Sequence, residues 1–118
     1  AWNNRAEFPA AVMDRWPCYV EENGRTPIAP LAHRLDLTGR LDLRPILPTI
    51  ATEILLLQGT SDRIVPRRHF DELRQGLPHA TGVLMPGVGH QPHFTHAEAM
   101  AQAIGDFLWP CPGSCPGP

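Results

Sequence analysis

The sequence predicts an α/β fold, in which a parallel β-sheet carries helices on its faces. The apolar run Ile54–Gln58 is short and unbroken, has no helical stripe and ends at Gly59, which is typical of a strand buried on both faces of a parallel sheet. A second short apolar run, Gly82–Pro86, follows a segment with helical periodicity. The order strand, helix, strand is the unit from which parallel sheets are built.

Residues 1–50 predict helices and connecting segments. A helix is expected over about Pro9–Trp16, because proline suits a first helical turn and apolar side chains recur at helical spacing. The side chains on its apolar side are Phe8, Val12, Met13 and Trp16. Tyr19–Gly24 then ends in a turn signal. Prolines break up residues 27–50, where a short helix over about Leu31–Leu35 is predicted.

A helix over about Pro66–Leu77 is expected to connect the two strands. The apolar side chains that mark its inner face are Phe70, Leu73 and Leu77. Gly76 and Pro78 mark its end, since both residue types stop helices.

The last helix has the clearest local signal in the chain. Thr95–Glu98 fits a capping box, in which Thr95 caps the helix and Glu98 reaches back. The wide apolar stripe that follows must lie on a sheet face; its members are Ala97, Met100, Ala101, Ile104, Phe107 and Leu108. The tail, residues 110–118, is rich in Pro, Gly and Cys and is predicted to be disordered.

Two side chains suited to catalysis follow the two predicted strands. Asp62 comes just past the C-terminal end of the first strand, and His90 just past that of the second. Ligands bind at this edge of parallel α/β sheets. We therefore expect the carboxylate and the imidazole to lie within hydrogen-bond reach, as two members of a catalytic triad. The alternatives are a turn aspartate that binds local backbone amides and an exposed loop histidine.

Composition excludes several other classes of protein. The 118 residues contain ten arginines, no lysine and twelve acidic residues, giving a net charge of −2. We expect no nucleic-acid partner, because there is no basic stripe, and no membrane span, because there is no long apolar run. The first residues lack the apolar core of a signal peptide. Three cysteines cannot all pair with one another, so a cytoplasmic location is expected.

Residues 54–66 (ILLLQGTSDRIVP) and 85–98 (MPGVGHQPHFTHAE) resemble the C-terminal part of α/β-hydrolases. The shared pattern is a strand ending in G-x-x-D-x-[IV]-[VP], a crossover helix, a short strand and G-x-G-H before a final helix. In that family the nucleophile, the acid and the histidine follow in this order along the chain. The resemblance implies Asp62 as the acid and His90 as the base. It also implies hydrolysis of an ester, thioester, amide or related bond in a small-molecule substrate, without a cofactor.

The nucleophile that this resemblance requires is missing from the sequence. A serine hydrolase carries it on a strand-to-helix turn written G-x-S-x-G. The two serines are Ser61, which precedes Asp62 without the second glycine, and Ser114, which lies in the tail. Cys18 lies upstream of the acid, but Pro17-Cys18-Tyr19 is no such turn.

We therefore expect residues 1–118 to be the C-terminal part of a longer hydrolase and to be inactive alone. Residues 1–50 would be a partial cap or lid with a connector, and residues 51–109 the strand–helix–strand–helix part of the core. Two parallel strands leave unpaired edges, so the missing N-terminal half of the sheet, or a partner chain, should complete them. The rival interpretation is a non-catalytic binding or interaction module that pairs with another chain.

The histidines His90, His93 and His96 form H-x-x-H-x-x-H, which could serve a catalytic zinc ion. Pro92 forbids a continuous helix through them, and Thr95 is assigned to the helix cap. We therefore expect no metal site.

Two weaker patterns remain. Gly87-Val88-Gly89 could begin a dinucleotide-binding G-x-G-x-x-G, but its third glycine would fall at Pro92. Cys111 and Cys115 could form a small disulfide or half of a metal site, although a frayed tail is the simpler interpretation.

Overall fold

The structure, a computed structural model, describes residues 4–110. Its α-helices are α1 (Trp16–Gly24), α2 (Ile28–Arg40), α3 (Arg67–Gly76), α4 (Pro92–Thr95) and α5 (Ala97–Leu108). Its strands are β1 (Ile54–Gly59) and β2 (Ala80–Met85), and 3₁₀-helices cover Asn4–Glu7, Ala10–Arg15 and Arg44–Thr49. The predictions for residues 111–118, including Cys111 and Cys115, lie outside the described residues.

The predicted α/β class with a parallel sheet is confirmed. β1 and β2 pair in parallel, with a register that runs from Ile54 opposite Ala80 to Gly59 opposite Met85. The C-terminal ends of both strands therefore meet at one edge of the sheet. Helix α3 connects the two strands, as the sequence predicts.

Close packing holds α3 against the sheet and the connector. The ring of Phe70 is buried, and a Cβ atom added at Gly82 would lie 2.8 Å from its Cζ atom. A Cβ atom added at Gly76 would lie 2.7 Å from Leu47 Cδ1. The two glycines therefore let the helix and its neighbours approach more closely than larger residues would permit.

The helices of residues 1–50 differ from their predicted bounds. The helix predicted over about Pro9–Trp16 is present as a 3₁₀-helix over Ala10–Arg15, and α1 begins only at Trp16. Pro17 lies in the first turn of α1, where a missing amide proton costs no helical hydrogen bond. Helix α1 ends at Gly24, where the predicted turn signal lies, and a turn follows at Arg25 and Thr26. Helix α2 is also longer than predicted, since Pro30 likewise falls in its first turn.

The predicted capping box is wrong. The hydroxyl of Thr95 donates to the carbonyl oxygen of Gln91 over 2.9 Å, and Thr95 belongs to the short helix α4. Helix α5 begins after His96, without a side-chain cap hydrogen bond. Glu98 forms an ion pair with Arg15 over 3.6 Å. Thr95 is the last residue of α4 and therefore does not cap α5. The local sequence pattern does not predict the short helix α4.

Much apolar surface remains exposed among residues 4–110. The apolar run of β1 predicts a strand that is buried on both faces. In the structure, Ile54–Leu57 are only half-buried. On α2, Ile28 and Leu35 are 83% and 60% exposed. No helix in the described part of the chain combines the length and the apolar character needed to cross a bilayer.

Candidate active site

Backbone hydrogen bonds join the loops that follow the two strands. The amide of Thr60 donates to the carbonyl oxygen of Met85 over 3.0 Å, and the amide of Ser61 donates to that of Val88 over 2.9 Å. The amide of Gly87 donates to the hydroxyl of Thr60 over 2.8 Å. These bonds hold together the two loops that carry Asp62 and His90.

Gly59 permits this close approach. A Cβ atom at this position would overlap the backbone of Val88 and Gly89. Gly87, which precedes His90 in the second loop, has a φ of +72°, in the left-handed region that favours glycine. Both glycines are therefore required by the path of the loop that ends at His90.

The carboxylate of Asp62 is held by three donors. Its Oδ1 atom accepts hydrogen bonds from the amides of Ile64, over 2.8 Å, and Val65, over 2.9 Å. Its Oδ2 atom lies 3.0 Å from Nδ1 of His90. The predicted proximity of the two side chains is thus confirmed. The alternative, a turn aspartate that binds local backbone amides, is also correct. Oδ1 accepts from the local amides, while Oδ2 faces His90.

The environment keeps Asp62 ionised. Its side chain is only 7% exposed, and this burial raises its pKa. The hydrogen bonds from His90, Val65 and Ile64 outweigh the burial, so the pKa lies below its usual value. An ionised carboxylate can only accept hydrogen bonds, so Nδ1 of His90 carries the proton that it shares with Asp62. In the neutral ring, Nε2 is then the basic nitrogen.

Lowering the pH is expected to remove stability that this bonded carboxylate provides. A depressed pKa stabilises the folded state above the unfolded value of about 4, and the effect is lost as the pH falls through the folded value. The difference in free energy of unfolding between wild type and Asp62→Asn should therefore be largest near neutral pH and shrink below about pH 4. Urea unfolding over a pH series measures it.

Asp106→Asn is the matched control for this titration. Asp106 is exposed and accepts a hydrogen bond from Gln102 on the same helix. Its replacement should change stability little at any pH. A constant difference between wild type and Asp62→Asn from pH 7 to pH 3 would contradict the stabilising role of the carboxylate.

A cavity of about 230 Å³ adjoins the pair. Apolar side chains of β1 and α3 and the following loops form most of its wall: Leu56, Leu57, Val65, Phe70, Leu73 and Pro92. Gln58 and His69 add polar groups. The two side chains therefore border an apolar space and not a flat surface.

The three spaced histidines do not come together as a metal site. His93 packs its ring against that of Phe94, with centroids 4.7 Å apart, and Nδ1 of His96 lies 2.9 Å from the hydroxyl of Thr95. Among residues 4–110, no three His, Cys, Asp or Glu side chains form a group that could hold a metal ion.

Sequence reasoning missed several residues around the pair. The amides of Thr60 and Ser61 donate to the end of β2 and to the second loop, and the Thr60 hydroxyl accepts from that loop; no sequence motif marks these contacts. Arg15 and Tyr19 contact the turn that follows His90 from more than seventy residues away in sequence. No pattern in the sequence singles out either residue.

The chain matches one protein-family model and several curated proteins. A family model described as "TAP-like protein", one of the Abhydrolase models, matches residues 35–114. A pimeloyl-[acyl-carrier protein] methyl ester esterase of Yersinia enterocolitica is 36% identical over 80 residues, which cover 68% of this chain and 31% of that relative. A relative with the same name from Xanthomonas campestris is 34% identical over 85 residues, which cover 72% of this chain and 34% of that relative.

A solved structure is also similar to this chain. The crystal structure of a membrane phospholipase A, described as a bacterial virulence factor, superimposes with a TM-score of 0.57 and 34% identity. The match covers 61% of this chain and 24% of that one. This chain spans about a third of the length of the curated relatives it matches.

Proposed function

Because this chain belongs to the α/β-hydrolase family, with its match to the TAP-like model, we propose that it supplies the acid and the base of a hydrolase triad. The observation that carries the proposal is the 3.0 Å separation between Asp62 Oδ2 and His90 Nδ1, at the sheet edge where such sites form. Asp62 is the acid and His90 the base. The nucleophile lies outside residues 1–118.

In the proposed reaction His90 moves one proton twice. Where the nucleophile is Ser or Cys, Nε2 of His90 takes the proton from its Oγ or Sγ atom as that atom bonds to the acyl carbon, and the carbonyl electron pair moves to oxygen. When this electron pair re-forms the carbonyl bond, the bond between the acyl carbon and the leaving group breaks. Nε2 then gives its proton to the leaving group. A water molecule then reacts with the acyl-enzyme through the same two steps, and the carboxylic acid product is released. Asp62 stabilises the imidazolium in each step.

We propose an ester as the substrate class. Two observations support this choice. The curated relatives are methyl ester esterases by name, and a phospholipase A also shares the fold. The proposed site requires neither a metal ion nor an organic cofactor. The cytoplasmic location stays a prediction.

We also propose that a further strand joins β1 on the edge away from β2. In the described chain the sheet has two strands, and the apolar residues Ile54–Leu57 are half-buried. The open edge of β1 and its half-buried side chains favour a neighbour at this edge. The neighbour is the N-terminal half of the sheet or a partner chain.

Residues 1–118 expressed alone are expected to hydrolyse an unactivated ester such as methyl butyrate no faster than their His90→Ala variant. Without the nucleophile the imidazole has no partner to activate, and an imidazole does not attack an unactivated ester by itself. Titration of the released acid at constant pH measures this. Turnover by residues 1–118 that His90→Ala abolishes would contradict the proposal that the nucleophile lies elsewhere.

The upstream coding sequence tests the proposal directly. We expect an open frame that encodes a buried strand, then G-x-[SCD]-x-G, then a helix, and the central residue identifies the nucleophile as Ser, Cys or Asp. A stop codon just upstream, together with a compact, cooperatively melting monomer of residues 1–118, would instead favour a non-catalytic module that binds a partner chain.

A further inference from the structure

The N-terminal segment contacts the turn directly after His90. Nη1 of Arg15 donates a hydrogen bond to the carbonyl oxygen of Phe94 over 3.0 Å. Nε2 of Gln91, the residue after His90, lies 3.5 Å from the hydroxyl of Tyr19. Residues about 75 positions apart in sequence therefore meet beside the proposed base.

Aromatic packing fixes this contact in place. The ring of Tyr19 meets that of Phe94 edge-on, with centroids 5.2 Å apart. Tyr19 is buried and also packs against Phe8 and Trp16, with centroids 5.2 and 5.3 Å apart. Contacts of this kind add stability beyond the burial of area. The N-terminal segment is thus a packed support for the turn and not a loose neighbour.

The turn itself is short and tightly bonded at its first residue. The carbonyl oxygen of Gln91 accepts the amides of Phe94 and Thr95, over 3.1 and 3.0 Å, as well as the hydroxyl of Thr95. These bonds fix the shape of the turn that starts at Gln91, the residue next to His90.

At its other end, the four-residue helix α4 has carbonyl oxygens without helical partners, as every helix end has. Arg15 donates to one of them, that of Phe94. An arginine at the C-terminal end of a helix also matches the direction of the helix dipole. The guanidinium further pairs with Glu98, at 3.6 Å, but this carboxylate is 82% exposed, so the pair contributes little.

We propose that Arg15 is a positioning residue for His90. By holding the carbonyl oxygen of Phe94, it fixes the turn that follows the histidine and so keeps Nδ1 aimed at Asp62. The inference rests on the proposed function for its catalytic consequence, although the geometry of the pair can be tested without it. It also links the N-terminal segment mechanically to the base.

The test uses the full-length protein with Arg15→Ala. We expect kcat for p-nitrophenyl butyrate to fall roughly ten- to hundredfold with KM nearly unchanged, because a small misplacement of a catalytic group has this effect. The proton resonance of His90 Nδ1, assigned by comparison with His90→Ala, should shift or broaden. Arg15→Lys, which keeps a cationic donor, should restore part of both.

Two controls separate this role from general loss of charge. Arg25, which follows α1, forms ion pairs only with Glu21 and Glu22 of that helix among the described contacts, so Arg25→Ala should leave kcat and the resonance unchanged. Glu98→Gln removes the ion pair and keeps the bond to Phe94, so it should also behave as wild type. If Arg15→Ala does not fold by circular dichroism, Arg15→Gln, whose side chain is too short to reach Phe94, takes its place.

Identical kcat and an identical His90 resonance in wild type and the folded Arg15 variant would overturn the inference. A wild-type protein without ester turnover would refute the proposed function alone. The resonance would still decide the role of Arg15 in that case: a shift in Arg15→Ala but not in Arg25→Ala supports it, and no shift overturns it.

Discussion

Replacing His90 with alanine in the full-length protein is expected to lower kcat for an ester such as p-nitrophenyl butyrate by about 10⁶-fold. The variant keeps the binding pocket but loses the group that moves the proton, so KM should change little. Asp62→Asn should lower kcat by about 10⁴-fold, because the neutral amide of Asn no longer requires the proton on Nδ1 and the ring can adopt the wrong tautomer. Steady-state kinetics with a purified, folded variant measures both.

Other residues of the same types are controls for this experiment. His79 precedes β2 and so lies at the opposite end of the sheet from His90; Asp106 lies on the exposed side of α5. His79→Ala and Asp106→Asn should keep wild-type kcat. The double variant Asp62→Asn/His90→Ala should lose no more than His90→Ala alone, since the two residues act as a unit. Full activity in either single variant would refute the proposed triad.

Gly59→Ala is expected to destabilise the protein by about 3 kcal/mol, at the upper end for added atoms in a packed site. The new methyl group would overlap the backbone of Val88 and Gly89, and backbone yields less readily than a flexible side chain. The loop to His90 would have to move away from Asp62. Urea unfolding should therefore show a lower midpoint, and ester turnover should fall as well.

Gly105→Ala is the opposite case and a matched control. Gly105 lies within α5, and an added Cβ atom would meet no neighbouring atom within 4 Å. Alanine favours a helix over glycine by about 1 kcal/mol, so this variant should be slightly more stable than wild type. If both glycine variants changed stability alike, close packing of the two loops would not explain the need for Gly59.

The sheet and its connecting helix could be predicted because their signals are local. The apolar run of β1, the amphipathic pattern of α3 and the glycines at the strand ends each specify one element. The helices of residues 1–50 could not be bounded as well. Pro30 is one of the prolines expected to break up residues 27–50, but it lies in the first turn of α2, where a proline can start a helix. The distinction depends on where the helix begins, which the local pattern leaves open.

The proximity of Asp62 and His90 could be predicted because parallel strands bring their C-terminal ends to one edge. The supports of the pair could not. Ser61 contributes its amide and Val88 its carbonyl oxygen, and backbone groups are the same in every residue. The contact of Arg15 with Phe94 joins distant parts of the chain, and only the folded molecule shows which arginine of ten is used.

The hydrogen bonds between the two strand-end loops have a consequence for gene rearrangement. Apart from the support that we propose for Arg15, the acid, the base and the backbone contacts between their loops lie in one continuous stretch, residues 53–90. A recombination event that carries this stretch into another gene would transfer both side chains together with the contacts between their loops in a single step.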